Sequence, residues 1–138
     1  MLNTFCVVSL LSAKTSPKDL ASAGYAQLES GDYTRAMKTF EKILKKDASN
    51  LEALLGEAII YTQRQDYAAA LVAFDKIIEI TPNNAFAWNG RGLAAYNLHN
   101  FDSAIDSFKR ATEQQPSGFF YESLAWTRIC LLYTSPSP

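Results

Sequence analysis

Little in this sequence supports metal, disulfide or nucleic-acid chemistry. It has two cysteines, Cys6 and Cys130, near opposite ends, and a single histidine, His99. Neither cysteine has a CxxC partner or a histidine at ligand spacing, which argues against structural zinc and a disulfide framework. Basic excess is missing: 13 Lys and Arg stand against 14 Asp and Glu, a net charge of −1, so nothing draws a polyanion. There is no glycine-rich phosphate loop and no HExxH, and no apolar run long enough to span a bilayer as a helix. What is present is an ordinary globular composition. Apolar residues make up 48% and aromatics 12%, which excludes a disordered chain, and 138 residues suit one domain.

The stretch Trp88 to Pro116, WNGRGLAAYNLHNFDSAIDSFKRATEQQP, is the clearest copy of a unit that occurs three times. Subtracting 34 from Phe101, Ala104 and Phe108 lands on Tyr67, Ala70 and Phe74, and a second step lands on Tyr33, Ala36 and Phe40. The same step takes Pro116 to Pro82 and Asn84 to Asn50. Small, aromatic and proline positions in phase at this period mark a helical repeat array.

Each unit reads as two helices. Ser16-Pro17-Lys18-Asp19 is a helix start, with a capping serine, proline at the first helical position and aspartate completing a capping box. The first helix runs to about Ser30, and Gly31-Asp32 makes the turn. The second covers Tyr33 to about Lys46, with Tyr33, Ala36, Met37, Phe40, Ile43 and Leu44 on one face and Arg35, Lys38, Glu41, Lys42 and Lys45 on the other. The following units predict helices from Leu51 to about Arg64, Tyr67 to Ile80, Ala85 to Leu98 and Phe101 to Gln114. Their short connections require antiparallel neighbours.

This pattern resembles the tetratricopeptide repeat family from Pro17 to about Gly118. The resemblance implies an all-α, right-handed α-solenoid of three helix pairs, over residues 17–50, 51–84 and 85–118, plus one terminal helix. The family's small positions fall on Gly24, Ala58 and Gly92, which are expected to face Ala36, Ala70 and Ala104 where paired helices approach most closely. Trp88 matches an aromatic position, filled by Leu20 and Leu54 in the other units. Arg91 and Glu57 stand where leucine is usual and are expected to weaken local packing. A fourth unit is expected to open at Phe119, with Tyr121, Leu124 and Ala125 matching the aromatic, leucine and small positions and a helix running through Ile129.

In the family the first helix of each unit lines a concave face. Carried over by position, the groove candidates are Tyr25, Leu28, Leu55, Ile59, Gln63, Phe86, Asn89, Leu93, Tyr96 and Asn97. Aromatic and aliphatic anchors with a few amides suit a protein or peptide partner of unspecified identity. The same residues could instead pack between neighbouring units. The family members that clamp acidic chaperone tails use Lys, Asn and Arg at positions that here hold Ala21, Tyr25, Gly56, Phe86 and Gly90. None brings the needed charge or amide, so the carboxylate clamp is not expected.

No catalytic constellation is legible. His99, Asp102 and Ser103 are close in sequence, but triads are recognised by spatial role, and His99 takes the turn position that glycine holds in the first unit. Gly90-Arg91-Gly92 lies inside a predicted helix and is no phosphate cradle. No cofactor or metal is implied. The expected function is a non-enzymatic interaction scaffold. The alternative is an accessory repeat region of a longer enzyme or secretion-system component.

The two ends carry separate expectations. Met1 to Ala13, MLNTFCVVSLLSA, resembles a truncated secretory signal without its basic leader, which favours an exported or periplasmic location over a cytoplasmic one. The other reading is an apolar N-terminal helix packed on the first repeat. Residues 130–138, CLLYTSPSP, resemble the in-frame translation of an adapter used in transposase-based sequencing libraries. On that reading the natural chain continues past Ile129, and Phe120, Leu124 and Ile129 expose apolar surface. The other reading is a flexible tail rich in serine and proline.

Overall fold

The computed structural model describes residues 16–134, so the expectations for residues 1–13 and 135–138 lie outside the described residues. Seven helices are present among them: α1 Pro17–Glu29, α2 Tyr33–Lys46, α3 Leu51–Gln63, α4 Tyr67–Ile80, α5 Ala85–Asn97, α6 Phe101–Gln114 and α7 Gly118–Thr134. The starts follow the caps. The Ser16 hydroxyl accepts the Asp19 amide at 3.1 Å and the Ser16 amide donates to the Asp19 carboxylate at 3.2 Å, the reciprocal box that the sequence predicts. The hydrogen bonds from the Ser16 side chain and backbone hold the Asp19 carboxyl below its ordinary value. Asp32, Asp66 and Asn100 cap α2, α4 and α6, each accepting the amide of the residue three further on. Asn50 and Asn84 do the same for α3 and α5. The turns repeat too, since Gly31, Gln65 and His99 all take a positive φ, of 81°, 60° and 61°.

Two boundaries differ from expectation. Helix α7 opens at Gly118, one residue earlier than Phe119, and runs five residues past Ile129 to Thr134. Residues Cys130 to Thr134 contain no helix breaker, and the next proline, Pro136, disfavours helix only from the residue before it.

Contacts divide the chain into two compact units, Met1–Gly56 and Glu57–Pro138, where length alone suggested one domain. In the first, α1 packs on α2. The Phe40 ring is fully buried and fills the space where side chains on Gly24 and Gly56 would begin. A β-carbon on Gly24 would stand 2.7 Å from the Phe40 ring. Tyr25 meets the same ring edge-on, with centroids 5.2 Å apart.

In the second unit α4, α5, α6 and α7 pack in succession, and α5 also touches α7. Phe74 lies against Gly90 and Phe108 against Gly92. The atoms nearest to a β-carbon on Gly24 and Gly92 are those of the Phe40 and Phe108 rings, and Ala36 and Ala104 are fully buried one turn before them. Each phenylalanine follows its alanine by one turn on the same helix face, and its ring reaches further. Ala95, Ala104 and Phe108 form one cluster, flanked by Leu71, Tyr96 and Leu124. Ala85, Ala111 and Phe120 form another against Trp88. Phe120 is thus buried, contrary to the expected exposure, and Leu124 is half-buried, while Ile129 is exposed as expected.

Arg91 does not weaken the packing as expected. Its Nε donates to Asp75 Oδ1 at 2.7 Å, and the guanidinium also donates to the hydroxyls of Ser103 at 3.1 Å and Ser107 at 2.7 Å. One polar side chain thereby ties α4, α5 and α6 together where leucine would give apolar contact alone.

Candidate functional site

The candidates separate by burial. Tyr25, Leu28 and Leu55 in the first unit are half-buried, and the Tyr25 hydroxyl donates to the Glu52 carbonyl at 2.8 Å. Burial, then the Glu52 charge, push the Tyr25 hydroxyl up to about 12. In the second unit Ile59 is half-buried, Gln63 and Phe86 are exposed, and Asn89 is buried with its Oδ1 accepting no hydrogen bond within the described residues. Burial removes Asn89 from the open face on which the sequence pattern put it.

Leu93, Tyr96 and Asn97 are brought to two cavities between α5 and α7. One, of about 480 Å³, is lined by Tyr96, Asn97, His99, Phe101, Trp126, Ile129, Cys130 and Tyr133. The second, of about 210 Å³, is lined by Leu93, Tyr96, Phe108, Ser123, Trp126 and Thr127. Leu93, Trp126 and Ile129 remain 41%, 64% and 43% exposed, so apolar surface stands open to a partner. The Tyr96 hydroxyl lies 3.1 Å from Cys130 Sγ, and that hydrogen bond, followed by burial, raises its pKa. The His99 and Tyr96 rings both meet Phe101 edge-on, at 5.9 and 5.6 Å. Ile59, Gln63, Phe86 and Asn89 line neither cavity.

Sequence reasoning passed over Trp126 and named Ile129 only as an exposed terminal residue, not as part of the groove. The signal was available: the match of Leu124 and Ala125 to Arg91 and Gly92 carries Trp126 and Ile129 onto the places of Leu93 and Tyr96. Nothing comparable pointed to His99, in the turn after α5, or to Phe101, the first residue of α6, which also reach the cavity. The sequence neighbours His99 and Ser103 are engaged elsewhere, His99 against Phe101 and the Ser103 hydroxyl with Arg91. Among the described residues no group of three or more His, Cys, Asp or Glu is placed to hold a metal ion. No helix there is long and apolar enough to cross a membrane.

Two sequence models of one family, both described as tetratricopeptide repeat, match residues 27–94 and 85–117. The chain belongs to the tetratricopeptide repeat family. Solved tetratricopeptide structures resemble it closely in fold. MamA from Desulfovibrio magneticus RS-1 (residues 41 to the end) is 24% identical, with a TM-score of 0.79 over 86% of this chain and 67% of that one. The first TPR of Spaghetti (RPAP3), bound to the HSP90 peptide SRMEEVD, is 20% identical, with a TM-score of 0.80 over 84% of this chain and 93% of the other. The Sgt2 TPR domain from Aspergillus fumigatus is 20% identical, with a TM-score of 0.78 over 88% and 84%. The chain spans about two thirds of the MamA chain it matches. No curated protein matches it. Likeness at this identity shows the fold, an all-α solenoid, and membership of the family supports a protein-interaction scaffold.

Proposed function

We propose that this chain is a non-enzymatic scaffold that binds a protein or peptide partner on a concave face, to which α5 and α7 contribute in the second unit. The observation that carries the reading is the pair of cavities between α5 and α7, where Leu93, Trp126 and Ile129 keep apolar surface open. Exposed apolar surface gathered in a concavity marks an interaction site. The partner is not an acidic chaperone tail. Gly56 and Gly90 hold two of the clamp positions, and any side chain there would begin inside the buried Phe40 or Phe74 ring. That a fold neighbour carries an HSP90 peptide does not transfer to this chain. The apolar run before the first repeat supports export as its location.

The test is affinity capture with the full chain beside Leu93→Glu and Phe86→Glu variants, followed by peptide mapping of what is retained. Specific capture should be lost with the charged variants. Capture unchanged by both substitutions sinks the reading. Mass spectrometry of the mature N-terminus tests location, and an intact Met1 on the secreted or periplasmic product overturns the signal.

A further inference from the structure

We propose that the larger cavity between α5 and α7 is an anchor pocket for one uncharged apolar side chain, aromatic or long aliphatic, presented by a segment of a protein partner. This rests on the scaffold reading and specifies the partner's chemistry. The cavity of about 480 Å³ falls within the range of roughly 300–1,000 Å³ typical of ligand clefts. Its walls are dominated by Tyr96, Phe101, Trp126 and Ile129.

Charge decides the occupant. No Lys, Arg, Asp or Glu lines this cavity or the smaller one beside it. A charged side chain entering would give up its water with no counter-ion to offset the loss. Two of the polar side chains are also committed within the chain. Tyr96 is hydrogen-bonded with Cys130 Sγ, and the Asn97 amide donates to the Leu93 carbonyl at 2.8 Å. In the adjoining cavity Ser123 and Thr127 donate to the carbonyls one turn back, at 3.1 and 2.7 Å. What remains for a ligand is mainly ring and aliphatic surface, together with the His99 imidazole and the Tyr133 hydroxyl. An uncharged apolar residue gains from covering it, whereas an acidic or basic segment gains nothing.

The experiment is an NMR titration of the full chain, read at its two indole N–H signals. Trp88 is an internal control, because its indole donates to the Pro82 carbonyl at 2.7 Å. The probes are N-acetyl-phenylalanine amide and N-acetyl-leucine amide, with N-acetyl-lysine amide and N-acetyl-glutamate amide as charged counterparts. The apolar probes should shift the Trp126 indole and Ile129 while Trp88 stays in place, and the charged probes should leave Trp126 unmoved. Trp126→Ala, at a mostly exposed position, should weaken apolar-probe binding, followed at Ile129, by about tenfold. Charged probes that shift Trp126 as strongly as apolar ones, or apolar probes whose shifts scatter away from α5 and α7, overturn the proposal. If a captured partner is lost with Phe86→Glu yet binds Trp126→Ala undiminished, the anchor pocket is wrong and the scaffold reading survives.

Discussion

Phe40, Phe74 and Phe108 are the same position three times over, and each ring fills space that a glycine on a neighbouring helix leaves open. Gly24→Ala and Gly92→Ala should each cost about 1–3 kcal/mol in urea denaturation, because a buried ring has little room to retreat. Pairing Gly92→Ala with Phe108→Leu should cost less than the sum of the single changes, since both act on one contact. Tyr25 makes a pH-dependent contribution. Its hydroxyl titrates at about 12 in the folded chain against an ordinary 10.0. The protonated form is therefore the one folding favours. The contribution is complete below pH 10 and is lost as pH rises through about 12. Thermal denaturation across that window should show a fall in stability that Tyr25→Phe reduces.

The helices start and stop by local chemistry repeated with the period. Asn84 accepts the Ala87 amide at 3.1 Å, and Asn84→Ala should destabilise the protein by about 1 kcal/mol. Gly31 takes φ of 81° with nothing near a would-be β-carbon, so Gly31→Ala isolates the backbone cost, about 1–2 kcal/mol for the left-handed region. Gln65 and His99 already bear that conformation at the matching turns. Arg91 belongs to this scale as well, because it joins three helices. Arg91→Ala should lower stability by about 1–3 kcal/mol, and Arg91→Leu by less, since leucine restores apolar contact while giving up the hydrogen bonds. Circular dichroism melts of the two variants make the comparison.

For the molecule as a whole, the exposed surface of α7 matters most. Phe119, Tyr121, Trp126, Leu132 and Tyr133 are all more than half exposed. A contiguous apolar surface left exposed on a helix promotes association. Replacing Leu132 and Tyr133, at 78% and 87% exposure, with glutamine should reduce self-association in sedimentation velocity without lowering the melting temperature. An unchanged association constant would show that this end of α7 takes no part.

The sequence alone determined the helices, their order and their caps. These depend on residues within a few positions of one another: an aspartate or asparagine three before an amide, or an apolar face recurring every three to four residues. It also determined the family, because a 34-residue phase survives local departures such as Arg91 and Glu57. Tertiary structure decided the rest. That Phe120 is buried while Trp126 stays open depends on which helices flank α7 and at what register, and no spacing within α7 contains that information. Asn89 and Leu93 lie one turn apart on the same helix, yet one is enclosed and the other faces a cavity. Arg91 read as a packing defect until Asp75, Ser103 and Ser107, from two other helices, converged on its guanidinium. Local rules place a side chain on a helix face. Only the neighbouring helices decide whether that face meets a ring, a hydroxyl or open space.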